Sequence, residues 1–184
     1  LKVSNIKDII LIALAQEAPE MATWENVFFT GVGKVNAGIT AAKLVERYKP
    51  ERVWNFGTAG GITLHEGIHQ VGVVVQRDMN CTQFGIKLGE TPYEPNSRKI
   101  VIGEGVSCST GDDFITDPKL DIPTDIVEME AFAIAKVCKN EGVDFHCYKY
   151  ISDTADDDTG DTWKANVAKG EPDFIQTYKD YHGG

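Results

Sequence analysis

Two short segments of this chain set carboxylates where chemistry is most easily built. Ile126-Val127-Glu128-Met129-Glu130-Ala131 places two glutamates around a methionine, at the point where a short apolar strand gives way to a helix. Ile151-Ser152-Asp153-Thr154-Ala155-Asp156 places an aspartate at the end of another apolar strand, Val143 to Ile151. In open α/β sheets the ligand crevice forms at such strand ends. A carboxyl group among apolar neighbours keeps its proton to higher pH and can act as an acid, whereas an ionised carboxylate only accepts hydrogen bonds. Three carboxylates in that setting suit a reaction that needs a proton donor and hydroxyl contacts in a partly dry pocket.

The elements that must position them can be read from periodicity. The apolar run Ile6 to Leu14 predicts a central strand, and Asn26 to Thr30 a short one ending in the turn Gly31-Val32-Gly33. Lys34 to Tyr48 has Val35, Ile39, Ala42 and Val45 at helical spacing and stops before Pro50. Arg52 to Phe56 reads as a strand running into a glycine turn, Gly57-Thr58-Ala59-Gly60-Gly61, which completes a βαβ unit. Further strands are expected over Gly67 to Gln76, around Lys99 to Ser107, at Ile126 to Glu128 and at Asp144 to Ile151. Helices are expected over Met129 to Asn140 and, broken near Gly170 and Pro172, over Trp163 to Tyr181; Asp153 to Asp161 reads as an acidic loop. The fold class is α/β: one domain over residues 1–184, an αβα sandwich around a twisted, mixed, mostly parallel sheet.

Five segments, in order, carry a resemblance: Thr30 to Ala37, Asn55 to Gly61, Ser109 to Ile115, Val127 to Ala131 and Ile151 to Asp156. Together they resemble the nucleoside phosphorylase/nucleosidase superfamily, and most closely its 5′-methylthioadenosine/S-adenosylhomocysteine nucleosidase branch. The resemblance implies hydrolysis of a purine nucleoside at its N-glycosidic bond. It implies Asp153 as the acid toward purine N7 and Glu17 as the base that holds water. It further implies that Glu130 holds the ribose hydroxyls, with Met129 under the sugar and Glu128, Lys149 and Ser152 beside the substrate. The backbone of Thr58, Ala59 and Gly60 would then lie along the nucleoside, and Phe114 and Ile115 would receive the base. Phe84 and Pro92, in the stretch Met79 to Pro92, match a family segment that crosses a homodimer interface to close the neighbour's pocket. Neither a cofactor nor a metal is implied.

The chain also departs from that pattern. Only thirteen residues separate Glu17 from Gly31, where the family has further strands, and no helix is expected between Pro95 and Ser107, so this is a compact variant. Asn55 stands where phosphorolytic relatives place an arginine for phosphate, and the chain has only four arginines, which favours water as nucleophile. Lys149 stands where the nucleosidase branch has an arginine; it keeps the charge without the planar fork. Plainer readings stay open for each residue. Asp153 could cap a turn, Glu17 could be solvated, Glu128 could serve a helix start, and Met129 and Phe114 could be packing residues. A phosphorylase, a nucleosidase for another purine derivative, and a non-catalytic nucleoside-binding protein are the alternatives.

Bulk properties agree with a small neutral ligand. The chain has 184 residues and a net charge of −10, which disfavours nucleic acid and anionic membrane surfaces as partners. No apolar run reaches membrane-spanning length, and Lys2 to Leu14 is too short and too charged for a signal peptide, so a cytoplasmic location is expected. Cys81, Cys108, Cys138 and Cys147 lack CxxC spacing and read as reduced thiols. The acidic run Asp153, Asp156, Asp157, Asp158 and Asp161 does not fit a calcium loop and reads as a solvated segment.

Overall fold

The computed structural model describes residues 6–155 and 159–183. Its elements are β1 (Asp8–Ile12), β2 (Val27–Phe29), α1 (Lys34–Tyr48), β3 (Arg52–Gly61), β4 (Ile68–Gln76), β5 (Lys99–Val101), β6 (Val106–Thr110), β7 (Ile126–Glu128), α2 (Ala131–Glu141), β8 (Asp144–Asp153), α3 (Thr159–Asn166) and α4 (Glu171–Gly183). Five strand pairings are parallel (β1 with β2 and β3, β3 with β8, β6 with β4 and β7) and three are antiparallel (β3 with β7, β4 with β5 and β8). The sheet is therefore mixed and mostly parallel, as the sequence indicates. It also closes on itself: β3, β8, β4, β6 and β7 form a ring from which β1, β2 and β5 extend.

Helices cover both faces. Strand β1 shows why its sequence is an unbroken apolar run, since both of its faces are buried. Ile9 and Leu11 enter a core shared with Ala37, Ala41 and Val45 of α1 and Ile134 and Ala135 of α2. Ile10 and Ile12 enter a second core with Trp54, Phe56 and Phe174 of α4.

Two sequence expectations are corrected. The supposed glycine turn at residues 57–61 is strand: β3 runs on to Gly61, paired with β8 as far as Asp153, with a register shift between Ala59 and Gly60. Pairing with β8 as far as Gly60, and with β7 at Gly60 and Gly61, keeps this glycine-rich stretch extended. Helix α1 has the predicted bounds but turns a different face inward. Ala37, Ala41 and Val45 are buried, while Val35 and Ile39 are exposed. This inward face packs on α2, with Ala37, Ala41 and Val45 sharing one core with Ile134 and Ala135. All four cysteines are free thiols. Between residues 95 and 107 the chain forms β5 and no helix.

Candidate active site

The strand ends converge on a cavity of about 240 Å³ lined by eighteen residues, from Ala13 to Trp163. Of the residues singled out in the sequence, Glu17, Thr58, Ala59, Gly60, Phe114, Ile115, Glu128, Met129, Glu130, Ser152 and Asp153 all line it. They come from the ends of β1, β3, β7 and β8 and from the loop after β6. Asp156, Asp157 and Asp158 of the acidic run lie outside the described residues. No cluster of His, Cys, Asp and Glu among the described residues could hold a metal ion.

Glu17 is buried in a short helical turn just beyond β1. Its Oε2 accepts from the Leu14 amide at 2.9 Å, and its Oε1 accepts from the Thr58 amide at 2.9 Å and the Thr58 hydroxyl at 2.8 Å. Backbone donors from two elements thus fix the carboxylate at the cavity wall. Asp153, the last residue of β8, is also buried. It accepts from the Ser152 hydroxyl at 2.8 Å and the Ala155 amide at 3.1 Å. Gly60 makes room for it, because a Cβ there would stand 2.8 Å from Asp153 Oδ1 and 3.1 Å from Val127 Cγ2. The glycine seen in the sequence is thus required by close approach of the aspartate, not by a turn.

Glu128 and Glu130 lie two residues apart and are held in opposite ways. Burial opposes ionisation of Glu128, but Lys149, the Thr110 hydroxyl and the amides of Glu130 and Ala131 outweigh it, so its pKa is lowered. Those contacts are Lys149 Nζ at 3.1 Å, the two amides at 2.9 and 2.7 Å, and a hydrogen bond from the Thr110 hydroxyl. Both of its oxygens are thus engaged, and one of them caps the start of α2. Glu130 is pushed up to about 7 by burial and then by the neighbouring Glu128 charge. Its Oε1 accepts from the Gly33 amide, at the start of α1, at 2.8 Å.

Lys149 does not line the cavity. Its side chain is 1% exposed and lies behind the wall, paired with Glu128. Burial pulls its pKa down, but the charge of Glu128 prevails and the pKa is raised. A Cβ at Gly57 would meet both Lys149 Nζ and Glu17 Oε1 at 3.4 Å, so the ammonium and the Glu17 carboxylate flank the same side of β3, around the space this glycine leaves open. Phe84 and Pro92 also lie away from the cavity; Phe84 is 73% exposed.

Sequence reading missed two residues that organise the cavity wall. Arg77, at the end of β4, donates to the carbonyls of Ser109 and Glu128 at 2.8 Å each and of Asp113 at 2.6 Å, which ties the loop bearing Phe114 to the ends of β6 and β7. Its guanidinium packs on Gly111, where a Cβ would fall 2.8 Å from it. An arginine directly after a valine-rich strand was the available signal. Trp163 on α3 donates from its indole to Thr58 Oγ1 at 3.0 Å. Nothing near Trp163 in the sequence marks it, because α3 returns to the site only through the packing of the fold.

A mixed sheet with carboxylates gathered around a cavity at its strand ends marks an α/β protein with a ligand site at that end of the sheet. The family model for the phosphorylase superfamily matches residues 26–178, and the chain belongs to that superfamily. Among curated relatives, it is 32% identical over 167 residues to the 5′-methylthioadenosine/S-adenosylhomocysteine nucleosidase of Staphylococcus saprophyticus, covering 76% of this chain and 73% of that protein. It is 34% identical over 175 residues to the nucleosidase of the same name from an Exiguobacterium species, covering 80% and 72%. The fold matches the crystal structure of the Helicobacter pylori nucleosidase of that name, complexed with a substituted pyrrolidin-3-ol, at a TM-score of 0.85 and 19% identity over 96% of this chain and 99% of that one.

Proposed function

We propose that this protein is a purine nucleosidase that hydrolyses the N-glycosidic bond of 5′-methylthioadenosine, S-adenosylhomocysteine or both, releasing adenine. The observation that carries this reading is the convergence of Glu17, Glu130 and Asp153, from three separate strand ends, on one largely apolar cavity. The likeness to named nucleosidases supports it.

In the reaction, the bond from C1′ to purine N9 breaks and its electron pair leaves with the base. Asp153 supplies a proton to N7, so the base departs neutral. The sugar develops oxocarbenium character, and water attacks C1′ while giving a proton to Glu17. Glu130, as a carboxylate, accepts from the ribose hydroxyls, and Met129 packs beneath the sugar. Phe114 offers an aromatic face to the base and Ile115 its backbone. Thr58, Ala59, Gly60 and Ser152 shape the nucleoside wall. Glu128 stands in the cavity wall, and Lys149 supports it from behind as its charge-balancing partner.

Water is preferred over phosphate on the same geometry. The only cation among the described lining residues is Arg77, which is committed to backbone carbonyls. Asn55 is buried and donates to the Leu11 carbonyl at 3.0 Å. Adenine release from 5′-methylthioadenosine with and without inorganic phosphate tests the proposal. Equal release in both arms, with free sugar as co-product, is expected. Release only with phosphate would make the chain a phosphorylase, and wild-type binding without release would make it a binding protein.

We further propose a homodimer in which the loop carrying Phe84 and Pro92 meets a second copy. Phe84 and Tyr93 are exposed, and so are Val32, Val35 and Ile39 at the start of α1. Sedimentation as two copies is the expected result, and a monomer at working concentration would dismiss it. No helix among the described residues is long and apolar enough to cross a membrane.

A further inference from the structure

We infer that Trp163 is a positioning residue for the base Glu17, acting through the Thr58 hydroxyl, so that docking of α3 completes the hydrolytic site. The inference rests on Glu17 holding the attacking water. Three hydrogen bonds carry it. The Trp163 indole donates to Thr58 Oγ1 at 3.0 Å, and the Thr58 hydroxyl and amide donate to Glu17 Oε1 at 2.8 and 2.9 Å.

The direction of the relay follows from donor chemistry. An indole N–H donates only, while a hydroxyl has a single hydrogen and can also accept. With Trp163 donating to it, Thr58 Oγ1 is the acceptor of that pair and its own hydrogen is left for Glu17. Without the indole, the hydroxyl rotor is free to turn its hydrogen elsewhere. The carboxylate is then largely committed. Of about four acceptor positions on two oxygens, two on Oε1 are taken by Thr58 and one on Oε2 by the Leu14 amide. One position on Oε2 remains, and that is where water can be held. The relay thus selects a single geometry for the reacting proton.

Trp163 reaches Thr58 across 105 positions of sequence, from a helix that is docked at a second point as well. Asn166 Nδ2 donates to the Ser152 carbonyl at 2.7 Å, beside Asp153. Helix α3 therefore touches the strand ends that bear both the proposed acid and the contacts of the proposed base.

A double-mutant cycle on the full chain tests this, with adenine release as the assay. Trp163→Phe keeps the aromatic wall and removes the donor, so kcat should fall roughly tenfold while KM stays nearly unchanged. Thr58→Val removes the hydroxyl, and adding Trp163→Phe to it should cost nothing more, because the relay is already broken. Thr58→Ser, which keeps the hydroxyl, should restore the sensitivity to Trp163→Phe. Equal losses from Trp163→Phe in the wild-type and Thr58→Val backgrounds would reduce Trp163 to wall packing and overturn the relay, as would a Trp163→Phe variant with wild-type kcat. Circular dichroism melting of each variant verifies that the fold is intact. If the wild type itself releases no purine base, the nucleosidase reading has failed instead.

Discussion

The two ends of the sheet treat buried charge in opposite ways. Where the parallel strands begin, Asp8 opens β1, accepts from Arg52 Nε at 2.5 Å and from the Tyr178 hydroxyl at 3.4 Å, and has His182 Nε2 beside it at 3.0 Å. Rings fill the space around them. Trp54 stacks on His146 with centroids 4.3 Å apart and meets the edge of Tyr181 at 4.8 Å. Where the strands end, four buried carboxylates (Glu17, Glu128, Glu130 and Asp153) line a cavity, with the exposed Asp113 at its edge. Lys149, the ammonium behind them, pairs with Glu128. The first end is closed by packing and charge balance. The second is left concave and acidic, and it depends on backbone amides and one buried ion pair for its order. The comparison separates charges that are balanced within the fold from those that the proposed reaction would use.

The largest effect should come from breaking that ion pair. Removing one partner leaves an uncompensated buried charge, so Lys149→Met should cost about 3–5 kcal/mol of stability. Adding Glu128→Gln should recover part of the loss, since the amide can still meet the Thr110 hydroxyl. Urea unfolding of the single and double variants measures this. A Lys149→Met protein as stable as wild type would mean that Glu128 takes up a proton at little cost, and that the open end is less dependent on charge balance than argued.

The next effect is on chemistry alone. Asp153→Asn retains size and the contacts to Ser152 and Ala155 but has no proton to give, so turnover should fall by roughly two orders of magnitude. Binding of a nucleoside analogue, followed by calorimetry, should change far less. Near-normal turnover would return Asp153 to a structural role at the end of β8 and erase the contrast with Asp8.

A smaller effect follows from Glu130, held near 7 by burial and the Glu128 charge. Its folded-state pKa lies above the unfolded one, so the stability it contributes is complete below about 4.5 and is lost as pH rises through about 7, with a slope of at most about 1.4 kcal/mol per pH unit. Glu130→Gln should remove this slope, which unfolding at about pH 5 and about pH 8 can measure. Affinity for a ribonucleoside should move the other way and strengthen as the carboxylate forms. A stability difference between wild type and variant that does not vary with pH would refute the assignment.

Much of this was legible in the sequence, for definite reasons. Strands β1 and β8 announce themselves as apolar runs, and the carboxylates at their ends follow from where those runs stop. Helix α1 is bounded by Gly33 and Pro50. What escaped was whatever depends on long-range pairing. Residues 57–61 look like a turn because glycine is abundant, yet β7 and β8 hold them extended. Val35 and Ile39 look like core, yet the face of α1 that packs inward is that of Ala37, Ala41 and Val45. Lys149 is a charged residue in a strand, and only the fold reveals that it lies behind the wall. Trp163 and Arg77 reach the site through tertiary contacts that no local pattern records.

The smallest predicted effect tests the closed end. His182 lies on α4, is partly exposed, and is one of three side chains, with Arg52 and Tyr178, that face the Asp8 carboxylate. Partly exposed pairs of this kind contribute less than about 1 kcal/mol. His182→Gln should therefore lower the melting temperature only slightly and leave kcat and KM unchanged, since Asp8 keeps Arg52 and Tyr178. One route could carry a larger effect. Helix α4 begins with Glu171, whose Oε1 accepts from the Met21 amide at 2.8 Å, four residues beyond Glu17. If His182→Gln lowered turnover while stability held, α4 would be transmitting its position along that contact to the Glu17 segment, and the two ends of the sheet would be coupled. Unchanged kinetics with a small loss of stability would establish them as independent, one end serving the fold and the other the reaction.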